Sequence, residues 1–261
     1  MHTHPPPEGD MPTTSARLQL PPLLAGRRAV VTGASRGIGK AVADAFDEAG
    51  ATSVRLDIRA SDTVRSCDVA DEASVARAFA EAAAGGPIDD VIHVAAIGVV
   101  GTLAEMSVAE FRRVLDVNLT GTFLVAREAA RHLGRGGNLV LFASQYGLKG
   151  WPQWGAYCAS KAGVLRLADS LTVELAPRGI RVNSISPGTV DTEMIASTMA
   201  DISRQTGTGA ETLRAGWQAA IPMGRFARPE EIANTVVALC SGLLSYVDGA
   251  NIVIDGGELS R

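Results

Sequence analysis

The sequence predicts a single α/β domain built on a parallel sheet with helices on both faces. Three observations carry this. Between Gly26 and Gly257 short apolar runs alternate with stretches of helical periodicity. The first apolar run ends in a glycine-rich turn that opens a helix. The 261 residues, 46% hydrophobic and 20% charged, are enough to bury one such core without disulfide or metal staples. No repeat or linker interrupts 23–261, which reads as one domain. Residues 1–22, MHTHPPPEGDMPTTSARLQLPP, read as a flexible Pro-rich tail.

In order, Arg28-Ala29-Val30-Val31-Thr32 is a buried strand. Ile38, Val42, Ala45, Phe46 and Ala49 then recur at helical spacing, with Gly50 at the stop position. Val54 to Asp57 and Val91 to Ala96 are further strands. Ser107-Val108-Ala109-Glu110 has the spacing of a capping box and opens a helix running toward Leu133. Leu139 to Phe142 is a strand, Gly155 to Ala176 a helix and Ile180 to Ile185 a strand. Pro229-Glu230-Glu231 begins a last helix through Leu239, with Pro in the first turn. Ile252-Val253-Ile254 closes the sheet.

Composition excludes several classes. A net charge of −4 supplies no basic excess for a phosphate backbone, so nucleic acid is not an expected partner. Glycine is abundant, at 28 residues, but has no three-residue period, which excludes collagen. Cys67, Cys158 and Cys240 are sparse and lack metal-ligand spacing; neither a metal nor a disulfide is expected, and a reducing cytoplasm fits. No apolar run approaches the ~20 residues that span a bilayer. The N-terminus has no apolar signal core.

Two constellations carry chemistry. The first is Gly33-Ala34-Ser35-Arg36-Gly37-Ile38-Gly39, between a strand and a helix. Backbone N–H groups and a helix N-terminus in that context hold a pyrophosphate. Asp57 lies 18 residues beyond Gly39 at a strand end, where a carboxylate accepts from both ribose hydroxyls and repels a 2′-phosphate; the alternative is a solvated loop acid. Asp68, opening an Asp-Val turn with Val69, could bind the adenine amino group. Arg36 and Arg59 argue the other way, since both could reach a 2′-phosphate.

The second constellation is Tyr157-Cys158-Ala159-Ser160-Lys161. Tyr and Lys at i and i+4 share a helix face. A nearby cation lowers a phenol from its usual pKa of ~10 and suits it to exchange a proton with an alcohol. Only three of the 24 Lys and Arg residues are Lys, and one of them falls four after this Tyr. Ser144, at a strand end, could hold the substrate oxygen. Asn118 stands mid-helix, a poor place on propensity, which a polar task or a satisfied interior amide would explain. His93 reads as a satisfied core histidine.

These residues resemble the short-chain dehydrogenase/reductase family over roughly 26–257. The resemblance also takes in Asn183-Ser184-Ile185-Ser186-Pro187-Gly188 and the closing Asp255-Gly256-Gly257. It implies a doubly wound Rossmann-type sheet of about seven strands and a nicotinamide dinucleotide. Position by position it implies Tyr157 as acid/base and Lys161 as the cation that lowers its pKa and holds the nicotinamide ribose. Ser144 would position the substrate, and Asn118 would anchor a water in the proton relay. Pro187, Gly188, Val190 and Thr192 would lie along the nicotinamide, with Thr192 on the carboxamide. Two departures stand out. The family's Asn-Asn-Ala-Gly-like turn is here Val94-Ala95-Ala96-Ile97-Gly98, leaving backbone contacts from Ala95 and Ala96 to the adenosine ribose. Only ten residues separate Asp57 and Asp68, so the adenine-side wall should be thin.

The expectation is an NAD(H)-dependent enzyme, with NADP the less favoured cofactor, acting on a secondary alcohol or ketone. Ala95 to Val100, Gln145 to Trp154 and Glu193 to Trp217 should line the substrate pocket. Gln145 could bind a hydroxyl, and Trp151, Trp154, Met194 and Trp217 suggest aromatic walls, or else subunit contacts. Polyol or sugar dehydrogenases, 2,3-dihydro-2,3-dihydroxybenzoate-type dihydrodiol dehydrogenases and 3-oxoacyl-carrier-protein reductases are all similar. A non-catalytic dinucleotide sensor or scaffold is the reading from another class. A homotetramer is expected through the helices carrying Asn118 and Tyr157, where Leu165, Leu167, Ala168 and Leu171 suit close packing, and through the last helix and strand.

Overall fold

The computed structural model describes residues 22–260; the tail reading therefore lies outside the described residues, except for Pro22. Seven strands form one parallel sheet: β1 (Arg28–Thr32), β2 (Thr52–Asp57), β3 (Arg65–Ser66), β4 (Ile88–His93), β5 (Leu133–Phe142), β6 (Arg181–Pro187) and β7 (Asn251–Ile254). Their order is β3-β2-β1-β4-β5-β6-β7. The chain winds outward from β1 to one edge, returns to β4, and winds to the other edge. That reversal opens a crevice at the carboxyl ends of β1 and β4.

Alternation along each strand feeds two cores. Val30 faces one with Val91 and Leu139, while Ala29 and Val31 face the other with Ile92 and Val140. The first core is covered by α2 (Glu72–Ala84), α4 (Gly121–His132) and α5 (Gly155–Leu175), through Phe79, Val125 and Val164. The second is covered by α1 (Gly37–Glu48) and α8 (Pro229–Cys240), through Phe46 and Ile232. At the opposite end of the sheet Asp90, fully buried, accepts from Arg27 Nε and Asn138 Nδ2 at 2.7 and 2.6 Å.

The structure adds helices where the sequence reading assigned none. α2 buries Val75, Ala78, Phe79 and Ala82, a helical stripe within an alanine-rich stretch. Its Asp71 N-cap accepts from the Ser74 N–H. α6 (Glu193–Thr206) and α7 (Ala210–Ala220) form a small outlying unit over Met199, Ile221 and Phe226. The helix expected from Ser107 to Leu133 is also corrected. Its capping box forms, but α3 (Val108–Leu115) passes into a π-helical turn over Asp116–Thr120 before α4 begins. The strand expected to reach Ala96 ends at His93. No helix among the described residues is long and apolar enough to cross a membrane.

The packing residues proposed for a subunit contact are corrected too. Leu165, Ala168 and Leu171 are buried in the chain's own core, with Leu167 packed against it. The apolar groups these helices expose are Val108, Phe123 and Val173, 65%, 47% and 77% accessible. Beyond α8, Leu243, Tyr246 and Val253 are exposed.

Candidate functional site

A cavity of about 710 Å³ occupies the crevice at the carboxyl ends of the strands. At one end lies the glycine-rich turn. Gly33 has φ +68°, and a Cβ there would meet the Ala95 amide at 2.8 Å. A Cβ on Gly39 would sit 2.1 Å from the Gly33 carbonyl oxygen. Only glycine lets this turn fold back onto its strand and onto the β4 loop. The helix it opens has no side-chain cap and no acid in its first turn, so its amide dipoles face the cavity uncompensated. The Ser35 hydroxyl is buried with no hydrogen-bond partner. Ser35 does not line the cavity, whereas the uncapped helix start at Gly37 does, and it fits a bound anion such as a pyrophosphate.

Asp57 closes that end. Its carboxylate accepts from the Ser35 N–H at 3.2 Å and the Arg59 N–H at 3.0 Å, which fixes it at the strand end. The Arg36 guanidinium pairs instead with Glu193 at 2.7 Å, across from the first residue of α6. Asp68 accepts from the Ala70 N–H at 2.9 Å, and with Val69, Ala95 and Ala96 it lines the adenine side. Between Asp57 and Asp68 the only strand is the two-residue β3. The thin wall is supplemented by Arg112, Arg113 and Asp116, which the sequence reading did not anticipate.

The other end holds Tyr157 and Lys161 from α5 with Ser144 after β5. Gly147 allows this: a Cβ there would strike the Lys161 carbonyl at 2.8 Å, so only glycine lets the turn after Ser144 lie against α5. Ser144 Oγ accepts from the Tyr146 N–H at 3.2 Å, and its hydroxyl acts on the Tyr157 phenol in the direction that favours the phenolate. Lys161 Nζ lies 5.7 Å from the centre of the Tyr157 ring and donates to the Phe142 carbonyl at 2.6 Å. In the free protein burial opposes the expected electrostatics. Burial pushes Tyr157 up to about 12 against the pull of the Ser144 hydroxyl. Burial pushes Lys161 down to about 7, so its ammonium is a weak source of positive charge for the phenol.

Asn118 does not line the cavity. It is fully buried, donates to the Ile97 carbonyl and Ser160 Oγ at 2.9 and 3.1 Å, and accepts from the Ile97 N–H at 2.9 Å. Both amide protons are used, so a water would be held only by a remaining lone pair of Oδ1 or of its main-chain carbonyl. The π turn explains Asn118 in mid-helix: the widened backbone carries its amide onto the β4 loop. His93 is a core residue bonded to Thr32 Oγ1 at 2.8 Å. Only its Nδ1 is satisfied, since Nε2 has no partner. Burial, with Lys161 nearby, holds it neutral at about 3.

Pro187, Gly188, Val190, Thr192, Met194, Trp154 and Trp217 line the cavity. Trp151 does not: it stacks on Tyr146, ring centres 4.8 Å apart, behind the wall. Tyr146 lies in the stretch Gln145 to Trp154 expected to line the pocket, and it does line it. Its ring meets Trp154 and Tyr157 edge-on at 5.4 and 6.1 Å.

Residues 33–258 match the family described as enoyl-(acyl carrier protein) reductase. A cis-4-hydroxycyclohexanecarboxylate dehydrogenase of Sinomonas cyclohexanicum is 39% identical over 251 residues, covering 89% of this chain and 96% of its own. A D-threitol dehydrogenase of Mycolicibacterium smegmatis is 37% identical over 252 residues, covering 90% and 93%. Among solved structures, the aldohexose dehydrogenase of Thermoplasma acidophilum superposes with a TM-score of 0.85 at 29% identity, covering 91% of this chain and 96% of its own.

Proposed function

The chain belongs to the short-chain dehydrogenase/reductase family, and from that premise we propose that it is an NAD(H)-dependent oxidoreductase of secondary alcohols and ketones, with a polyol, sugar or cyclic diol as substrate. The observation that carries this is that Ser144, Tyr157 and Lys161 line the same cavity as the uncapped glycine turn.

Gly33 to Gly39 would hold the pyrophosphate, Asp57 the adenosine ribose, and Lys161 the nicotinamide ribose. The nicotinamide supplies hydride transfer at the carbinol carbon. The chain does the rest. Ser144 fixes the substrate oxygen beside Tyr157, and Tyr157 gives or takes the proton on that oxygen. Trp154 and Tyr146 cover the reacting end and exclude water from it.

The preference for NAD rests on Asp57. Two backbone amides fix its carboxylate where a 2′-phosphate would have to lie, and like charges in contact cost several kcal/mol. Arg36 is the counterweight, but Glu193 already engages it. Initial rates with NAD⁺ and NADP⁺ across polyols, cyclic diols and secondary alcohols test the proposal. Turnover of none of them overturns it. Asp57→Ala should narrow the NAD⁺ preference in kcat/KM at least tenfold, about 1.4 kcal/mol. An unchanged ratio would make Asp57 a loop acid only.

The same reading makes the protein a cytoplasmic homotetramer, with Phe123 and Val173 on one contact and Leu243, Tyr246 and Val253 on another. Light scattering at micromolar concentration should give four times the chain mass; a monomer refutes this.

A further inference from the structure

The substrate end of the cavity contains a polar atom that neither the fold nor the acid/base pair uses. Gln145, 2% accessible, lines the cavity beside Ser144, and its Oε1 is buried with no hydrogen-bond partner. A buried carbonyl oxygen left unpaired is costly, and in a binding cavity it marks a place made for a donor.

The amide cannot turn over to relieve this. Its Nε2 donates to Glu258 Oε2 at 3.0 Å. A flipped amide would set its oxygen against the carboxylate, two acceptors with no proton between them. Glu258 is itself held in place. It follows β7 in a short turn pinned by Asp255, whose carboxylate accepts from the Gly257 and Leu259 N–H groups at 2.9 and 2.8 Å. Gly188 lies against the amide: a Cβ there would meet the Asp255 Cα at 2.8 Å and lie 3.2 Å from Oε1. Tyr146 adds a second group: burial, and then the charge of Glu258, raise its phenol well above the usual value, so it keeps its proton.

We propose that Gln145, oriented by Glu258, reads a second hydroxyl next to the reacting carbinol, so that the enzyme is selective for neutral vicinal diols. This rests on the oxidoreductase reading above and deepens it. The selection is by hydrogen-bond polarity. Oε1 accepts only, so it rewards a hydroxyl that donates. It rejects an ether, a carbonyl or a carboxylate at that carbon, because each would leave two acceptors face to face. The Glu258 carboxylate behind the amide adds repulsion against an anionic substituent. Glu258 touches Gln145 and not the cavity, so it is a positioning residue.

The test compares cyclohexane-1,2-diol, 2-methoxycyclohexanol and cyclohexanol by kcat/KM with the preferred cofactor. The three share a ring and a secondary carbinol and differ only in what the neighbouring carbon offers. The wild type should favour the diol over both others by at least tenfold. Gln145→Met, which removes the acceptor at similar volume, should cut the diol-to-cyclohexanol ratio at least tenfold. Glu258→Gln should act differently. Its new amide can donate to Gln145 Oε1, which frees Nε2 to face the cavity as a donor. The methyl ether should then gain on the diol, a shift that simple loosening of the pocket would not produce. A wild type that turns over cyclohexanol as well as the diol overturns the proposal and leaves the oxidoreductase reading intact. So does a Glu258→Gln enzyme with an unchanged ether-to-diol ratio. No turnover of any of the three, by an enzyme also inert across the wider panel, overturns both.

Discussion

Replacing Tyr157 with Phe is expected to remove 10²–10⁴ of kcat, the range that general acid–base catalysis contributes, while dinucleotide affinity changes less than threefold. The substitution deletes one oxygen and keeps the ring that packs edge-on against Trp154 at 5.5 Å. The groups that would grip the dinucleotide lie elsewhere, in the glycine turn and at Asp57. The pH dependence follows from the direction of the shift. Burial holds the phenol at about 12 in the free protein, so at neutral pH it carries its proton and is ready to give it to a carbonyl oxygen. Alcohol oxidation needs the phenolate, so wild-type oxidation should climb with pH through the range in which the protein remains folded, and carbonyl reduction should not. Tyr157→Phe should abolish that climb. A variant within tenfold of wild type, or one that keeps the pH slope, would show that the proton moves through another group.

How far the site could be read in advance depended on whether a residue's task is local in the chain. The glycine turn, Asp57 and the Tyr157–Lys161 pair each declare themselves through a strand end or a helical spacing, and the structure places all of them on one cavity. Relations between distant segments were not legible. Glu258 meets Gln145 across 113 residues and Glu193 meets Arg36 across 157, and no periodicity links either pair. Asn118 shows the intermediate case. Its low helix propensity marked it correctly, but the π turn that gives it a place is a backbone deformation with no composition signal of its own. The electrostatics depend on a quantity that spacing does not carry. A Tyr and a Lys four apart imply a lowered phenol only as far as the cation stays charged, and burial, which sequence spacing does not report, loosens this one's hold on its proton.

That buried lysine leads to the second large effect. Lys161→Met should abolish turnover to a degree comparable with Tyr157→Phe, since it removes the cation beside the phenol and the group proposed to hold the nicotinamide ribose. Its effect on stability should run the other way. Lys161 is 2% accessible and burial lowers its pKa from 10.5 to about 7. Between those values the unfolded chain holds a proton that the folded chain has released, so the wild type gains stability as pH rises from 7 to 10.5. Below 7 both states are protonated, and the full penalty of a buried ammonium is present. Methionine removes a penalty that is largest at low pH and vanishes near 10.5. The lost hydrogen bond from Nζ to the Phe142 carbonyl is a constant offset across this range. The Tm of Lys161→Met minus that of wild type should therefore be higher at pH 6.5 than at pH 9.5. At about 2–4 °C per kcal/mol for a chain of this size, the difference should be several degrees. Adding the dinucleotide should raise the wild-type Tm more than the variant's, because only the wild type has the ammonium to offer it. A Tm difference that is flat from pH 6.5 to 9.5 would mean that Lys161 keeps its charge in the folded protein, and would return to it the role of lowering the Tyr157 pKa.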